Sequence, residues 1–170
     1  MGKNMWLSLF FITILVMSFT GVARASGGGD KEAIHIKSNQ MEALDKEGKV
    51  IFTGDVVARK GDLTIYADRL IVYYSDKKGG AGAEGKRSLE RLVAEGDVKI
   101  TQGKRTARGD EATYDKKKEI ITLIGDAQVW QGQNRVKGDK IIVFLKEDKS
   151  IVESGPNGRV EAVVFTNTGP

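Results

Sequence analysis

Six aspartates recur at fixed spacing and are the residues of this chain best arranged to do chemistry. Three follow a glycine, as Gly54-Asp55, Gly96-Asp97 and Gly125-Asp126, and three follow a small residue, as Ala67-Asp68, Gly109-Asp110 and Gly138-Asp139. Stacked in register they would form carboxylate ladders, the chemistry of calcium binding or of glycoside cleavage. Glycoside cleavage, however, uses one pair of carboxylates whose environments set their pKa values apart. These repeat with every unit, so a carbohydrate-active β-helix is a poor reading. Structural capping is the expectation: each carboxylate accepts hydrogen bonds from backbone N–H groups at a local bend. Other catalytic chemistry has little to work with. His35 is the only histidine and cysteine is absent, so neither a Cys-His pair nor a multi-histidine zinc set can be assembled. His35 is expected as an exposed bystander on an edge strand and Trp130 as an outer-face aromatic. No catalytic residue, metal ligand or cofactor is expected.

The elements that must position these aspartates follow from the same spacing. Gly61, Gly103 and Gly132 each stand seven residues after the glycine of a Gly-Asp pair, and Asp68, Asp110 and Asp139 seven residues later again. The step from Asn39 to Gly54 equals that from Asp110 to Gly125, fifteen residues, whereas Asp68 to Gly96 is 28. The chain is therefore a repeat array, with an insert over 76–88 that reads as a flexible hairpin tip. Aligned on their glycines, the units give apolar columns two and four residues away: Val56 and Ala58, Val98 and Ile100, Ala127 and Val129 on one side. Before the glycine stand Val50 and Phe52, Leu92 and Ala94, Ile121 and Leu123. After the unit's Asp stand Leu70 and Val72, Ala112 and Tyr114, Ile141 and Val143, with Met41 and Ala43 after Asn39. Ile65 and Val136 are assigned to the same face. Strand side chains alternate between faces, so these columns build one continuous apolar face, while Lys99, Thr113, Gln128 and Lys140 face water.

Polar links at Asp45–Gly48, Asp115–Lys118 and Lys146–Lys149, and the turns at Gly61, Gly103 and Gly132, predict antiparallel hairpins. The Gly-Asp pairs lie inside runs that continue on both sides. Glycine within a strand marks a bulge or sharp bend, so each pair is read as a corner creasing the sheet into two facing leaves. The expected fold is all-β, an antiparallel folded sheet of about 15–16 short strands. Many column members are alanines, and alternation by itself does not separate a dry core from a greasy groove.

The ends bound the setting. Lys3, the apolar stretch Trp6 to Phe19 and Ala23-Arg24-Ala25 read as a cleaved secretory signal over residues 1–25. A loose lead-in over 26–33, a folded domain over 34–166 and a frayed 167–170 follow. The formal charge of +4 over 27 basic and 23 acidic residues leaves no strong footprint for nucleic acid. Absence of cysteine means that an exported chain here is held by its sheet rather than by disulfides.

The stretches Ile36-Lys37-Ser38-Asn39-Gln40-Met41-Glu42-Ala43, Val50 to Val56 and Gly61-Asp62-Leu63-Thr64-Ile65-Tyr66-Ala67-Asp68-Arg69-Leu70 resemble the OstA-like family, and most closely its LptA-type periplasmic lipopolysaccharide-transport branch. Asn39 departs from the Asp usual at that corner, and the glycine-rich insert after Asp76 is atypical. The resemblance implies a taco-shaped β-jelly roll with lipid A acyl chains between its leaves. It also implies lipopolysaccharide as ligand, LptC at the N-terminal edge, LptD at the C-terminal edge, and end-to-end joining with further copies. A stack that never closes leaves unpaired N–H and C=O groups at two edges, which are templates for strand addition. The N-terminal edge is expected at Ile34 and Ile36, the C-terminal edge at Val160, Val163 and Phe165. The alternative is a secreted structural repeat protein that polymerises by those edges without a lipid.

Overall fold

The alternating runs pair into one antiparallel sheet in the computed structural model, which describes residues 33–76, 87–156 and 158–165. The expected signal, most of the lead-in, nearly all of the insert and the frayed C-terminus lie outside the described residues. Among the described residues there are ten strands: β1 (His35–Lys37), β2 (Gln40–Leu44), β3 (Lys49–Lys60), β4 (Leu63–Asp76), β5 (Arg87–Gln102), β6 (Arg105–Asp115), β7 (Ile120–Gln131), β8 (Asn134–Phe144), β9 (Lys149–Glu153) and β10 (Glu161–Val163). Strands β3 to β8 pair each with the next in sequence. At one edge β1 and β2 both pair with β3; at the other β9 and β10 both pair with β8. The turns fall where glycines and short polar links predict them. Gly48, Gly61, Gly103 and Gly132 all have left-handed φ, between 54° and 60°, which glycine adopts without the Cβ penalty.

Each long strand is creased once, at its Gly-Asp pair or at the aspartate facing one. The β3–β4 ladder runs to Thr53↔Arg69 and resumes at Val56↔Ala67, so Gly54 and Asp55 oppose Asp68 alone. The same two-against-one bulge sets Gly96-Asp97 against Asp110 and Gly125-Asp126 against Asp139. All three pairs are left-handed at both residues, with φ of 79° to 82° on glycine and 40° to 46° on aspartate. Aspartate is among the few residues with a side chain that tolerate this region, which is why Gly-Asp and not a β-branched pair stands here. Two successive residues of reversed hand turn the strand over. Counting each creased strand as two halves gives sixteen half-strands, eight in each of two leaves. Leaf 1 holds β1, β10 and the halves of β3 to β8 that meet at Gly61, Gly103 and Gly132; leaf 2 holds β2, β9 and the other halves.

The aspartates do not cap local backbone as expected. Asp68 lies against Gly96 and Asp110 against Gly125, in the space a Cβ would need, and the Asn39 side chain lies likewise on Gly54. Asn39 Nδ2 donates to Asp55 Oδ2 at 3.1 Å, and its backbone N–H donates to Gly54 O at 3.0 Å. Asp126 accepts from Gln128 Nε2 at 2.8 Å and from Lys137 Nζ at 2.6 Å. Among the described residues, Asp139 alone of the six corner aspartates accepts from a backbone N–H, and its donor is Gly155, sixteen residues on. The reason is geometric: the carboxylate of one corner falls on the glycine of the next. The corner residues stack the units onto one another.

Candidate functional site

The residues that meet between the leaves are graded in size along each half-strand. Beside the crease, leaf 1 carries Val56, Ala67, Val98, Gly109, Ala127 and Gly138, and leaf 2 carries Phe52, Leu70, Ala94, Ala112, Leu123 and Ile141. Small residues thus face mostly large ones, which lets two backbones converge at native packing density. A Cβ on Gly109 would come within 2.9 Å of Leu123 Cδ1, and one on Gly138 within 2.6 Å of Val152 Cγ1. Val98 and Ala127 are fully buried at 0% exposure and Leu70 and Val56 nearly so at 2%. Along the crease the trough is therefore a packed core.

Further from the crease the leaves part. Toward the N-terminal edge lies a cavity of about 350 Å³ lined by Ile34, Ile36, Val50, Ala58, Arg59, Lys60, Ile65, Leu70, Val72, Tyr74, Leu89 and Leu92. Toward the C-terminal half lies one of about 100 Å³ lined by Leu63, Ile100, Gln102, Arg105, Thr106, Ala107, Ile121, Leu123, Val129, Ile141 and Val143. Apolar cavities of roughly 150 Å³ stay dry and take up apolar ligands. The larger cavity already exceeds that size; the smaller needs the leaves to part slightly. In leaf 2 Tyr114 pairs with Leu92 and Ile121. Burial, and then the nearby Glu119 and Asp115, hold its hydroxyl above the ordinary phenol range and hence neutral.

Most of the residues expected on the apolar face come together there. Val56, Leu70, Val98, Leu123, Ile141 and Val143 are buried in one cluster, and Phe52, Ile65, Val72, Leu92, Ile100, Ile121 and Val129 pack against it. Val50 lines the larger cavity, and Tyr114 and Val136 are partly buried on the same face. Met41 does not join them. It pairs with Phe52 and faces the interior side, yet β2 is the outermost described strand of its leaf, and Met41 is 62% exposed. The edge residues Ile34, Val160, Val163 and Phe165 are exposed, whereas Ile36 packs on the core. Each edge is also longer than expected: β2 extends the first and β9 the second. Cross-strand ion pairs tie both C-terminal edge strands to β8, Arg135–Glu161 at 3.0 Å and Lys140–Glu153 at 3.5 Å.

Three features escaped the alternation. Leu89 enters the larger cavity because a register shift between Tyr73 and Tyr74 bulges out Glu90 and restores the inward phase one residue early. Ile71 and Val93 are buried at 7% and 5% on the outer face of leaf 2, in a row where polar residues were expected. Their flanks explain it: Arg69 pairs with Glu95 at 2.9 Å, and Arg91 stands 5.7 Å over the Tyr73 ring. Long side chains of this kind cover apolar neighbours with their stems. The polar lips of leaf 1, at Lys60, Gln102 and Arg105, also went unassigned, because they sit beside turns. Among the described residues no group of His, Cys, Asp and Glu is arranged to hold a metal ion.

Among the described residues the antiparallel sheet is folded on itself without closing, apolar inside and ending in an edge on either side, which is the geometry of a binding trough. Residues 35–149 match the family described as LptA/(LptD N-terminal domain) LPS transport protein, and the chain belongs to that family. Its members are transport proteins, not enzymes. The lipopolysaccharide export system protein LptA of Escherichia coli (strain K12) is 32% identical over 146 residues, 84% of this chain and 76% of that protein. An uncharacterized protein of Rhizobium meliloti (strain 1021) is 30% identical over 94 residues, 55% of this chain and only half, 50%, of its own length. The fold matches the crystal structure of LptH, the LptA homologous periplasmic component of the conserved lipopolysaccharide transport device from Pseudomonas aeruginosa. The TM-score is 0.64 at 21% identity, over 79% of this chain and 96% of that one.

Proposed function

We propose that this chain is an exported periplasmic carrier that holds lipopolysaccharide by its lipid A acyl chains between the two leaves. It passes the lipid from the inner toward the outer membrane for outer-membrane assembly. The observation that supports this most is the apolar interior itself, which runs from the Ile34–Ile36 edge to Ile141 and Val143 and widens into cavities away from the crease. Burial contributes roughly 0.8 kcal/mol per CH₂, so a twelve-carbon chain crossing water unshielded would cost on the order of 10 kcal/mol. A continuous apolar trough removes that barrier.

The free edges supply the joints. LptC adds at the β1/β2 edge and LptD at the β9/β10 edge, by strand addition, and copies of the chain join end to end between them. The domain spans residues 34–166, and the leader over 1–25 is removed on export. Packing at the crease favours one rival, a structural repeat protein with a solid core. Native mass spectrometry of protein isolated from the periplasm without detergent separates the two. Carrier function predicts co-purifying or readily loaded lipid A; a protein that stays empty when offered lipid A would establish the rival.

A further inference from the structure

The outer face of leaf 1, turned away from the trough, carries a groove that the carrier reading leaves unused. It is open, encloses about 440 Å³ and is lined by Lys99, Lys104, Thr106, Arg108, Trp130 and Gly132. Register brings these residues together. Lys99 on β5 stands directly opposite Arg108 on β6, and Thr106 on β6 stands opposite Trp130 on β7. Lys104 reaches the same groove from the turn between β5 and β6. Like charges directly opposed across two strands are destabilising. Elsewhere on the outer faces such charges are relieved by a neighbour. On leaf 2 Glu95 opposes Glu111, but Arg69 pairs with Glu95 at 2.9 Å and Thr113 Oγ1 donates to Glu111 at 3.1 Å. Further along leaf 1, Lys137 pairs with Asp126 at 2.6 Å and Arg135 with Glu161 at 3.0 Å. At the groove Lys99 lies 5.7 Å over the Tyr66 ring, whereas Lys104 and Arg108 are exposed and form no ion pair among the described residues.

We propose that this groove binds an acidic oligosaccharide, with Trp130 against the face of one sugar ring and Lys104 and Arg108 on its carboxylate or phosphate groups. An indole face is apolar and electron-rich, which suits the C–H face of a sugar. Charge-assisted bonds from lysine and arginine are the stronger ones to an anionic oxygen. The groove has one aromatic rather than the run of platforms on which successive bases stack, which favours a sugar over a nucleic acid. The row also runs on past the groove, through Gln128 and Lys137 on one side and Tyr66, Val57 and Lys37 on the other. With strands about 4.8 Å apart, it offers a chain of sugars further polar contacts across the sheet. Leaf 1 itself separates this groove from the trough. The sugar is therefore not that of a lipid held between the leaves, and its binding is independent of the carrier function.

Isothermal titration calorimetry on protein purified from the periplasm tests the groove. The probes are tetragalacturonate and its methyl ester, which keeps the sugars and loses the charges. Wild type is expected to bind the acid about tenfold more tightly than the ester, a preference that shrinks as salt is raised. Lys104→Gln/Arg108→Gln should weaken binding of the acid about tenfold and leave the ester unchanged. Trp130→Ala should weaken both probes, roughly two- to tenfold, which a purely electrostatic patch would not do. Circular dichroism of both variants checks that the sheet is intact. Binding of neither probe by wild type, or an acid held as tightly by the double variant as by wild type, would overturn the site and leave the trough untouched. Unchanged affinities in Trp130→Ala, or tighter binding of oligothymidylate than of tetragalacturonate, would overturn the sugar as its ligand.

Discussion

Leaf 1 and leaf 2 are built from the same creased strands and the same number of half-strands, yet their inner faces differ at both ends. At the crease leaf 1 is small, with Ala67, Gly109, Ala127 and Gly138, and leaf 2 is mostly large, with Phe52, Leu70, Leu123 and Ile141. At the lip leaf 1 carries Lys60, Gln102 and Arg105 beside the cavities, while leaf 2 lines them with apolar residues and Tyr74. The difference separates two jobs that a uniform apolar face would confuse. Small-against-large packing closes the crease and carries stability; the parted lips leave room for a ligand.

The largest break in that contrast is expected at the crease of leaf 2. Leu123→Ala removes a side chain only 4% exposed, and should cost about 2–5 kcal/mol in urea unfolding, since the crease cannot collapse onto the gap. Gly109→Ala comes next. Its new Cβ meets Ile124 O and Leu123 Cδ1, each at 2.9 Å, and overpacking of this kind should cost about 1–3 kcal/mol. The lips should behave oppositely. Lys60→Gln, at an exposed side chain, is expected to leave unfolding stability within about 0.5 kcal/mol, so a large loss there would blur the division of labour.

The smallest effect lies on the outer face of leaf 1. The Lys137 ammonium, helped by Gln128, holds Asp126 below the usual carboxylate range. A folded-state pKa depressed in this way contributes stability that is present above the ordinary carboxylate range and lost as pH falls through the folded value. Asp126→Asn should therefore melt slightly earlier than wild type near neutral pH, with the two melting temperatures converging in acid. The shift is small because the pair is solvated and screened.

The crease was legible in the sequence because its requirement is local: two left-handed residues in a strand select Gly-Asp, and the repeat marks each one. The apolar columns were legible for the same reason, through alternation within five residues of a corner. What lay outside depended on the partner rather than on the residue. Leu89 was hidden by a bulge at Glu90, and Met41 faces inward from the outermost described strand and stays exposed. Ile71 and Val93 look solvent-facing by alternation, yet both are buried in a row flanked by the Arg69–Glu95 pair and by Arg91 over Tyr73. The lips were hidden by the turns beside them, where Lys60 and Arg105 read as ordinary turn residues. Which leaf each cation joins is a property of the crease, which carries the second half of each strand to the other side of the trough.

The central claim is that acyl chains lie between the leaves, and site-specific photo-crosslinking in cells tests it most directly. Photoreactive side chains at Phe52, Leu70, Ile100 and Leu123 face the trough, and one at Lys99 stands on the outer face over the Tyr66 ring. The account predicts lipopolysaccharide adducts at the four inner positions and none at Lys99. Equal labelling at Lys99 and at the inner positions would contradict it.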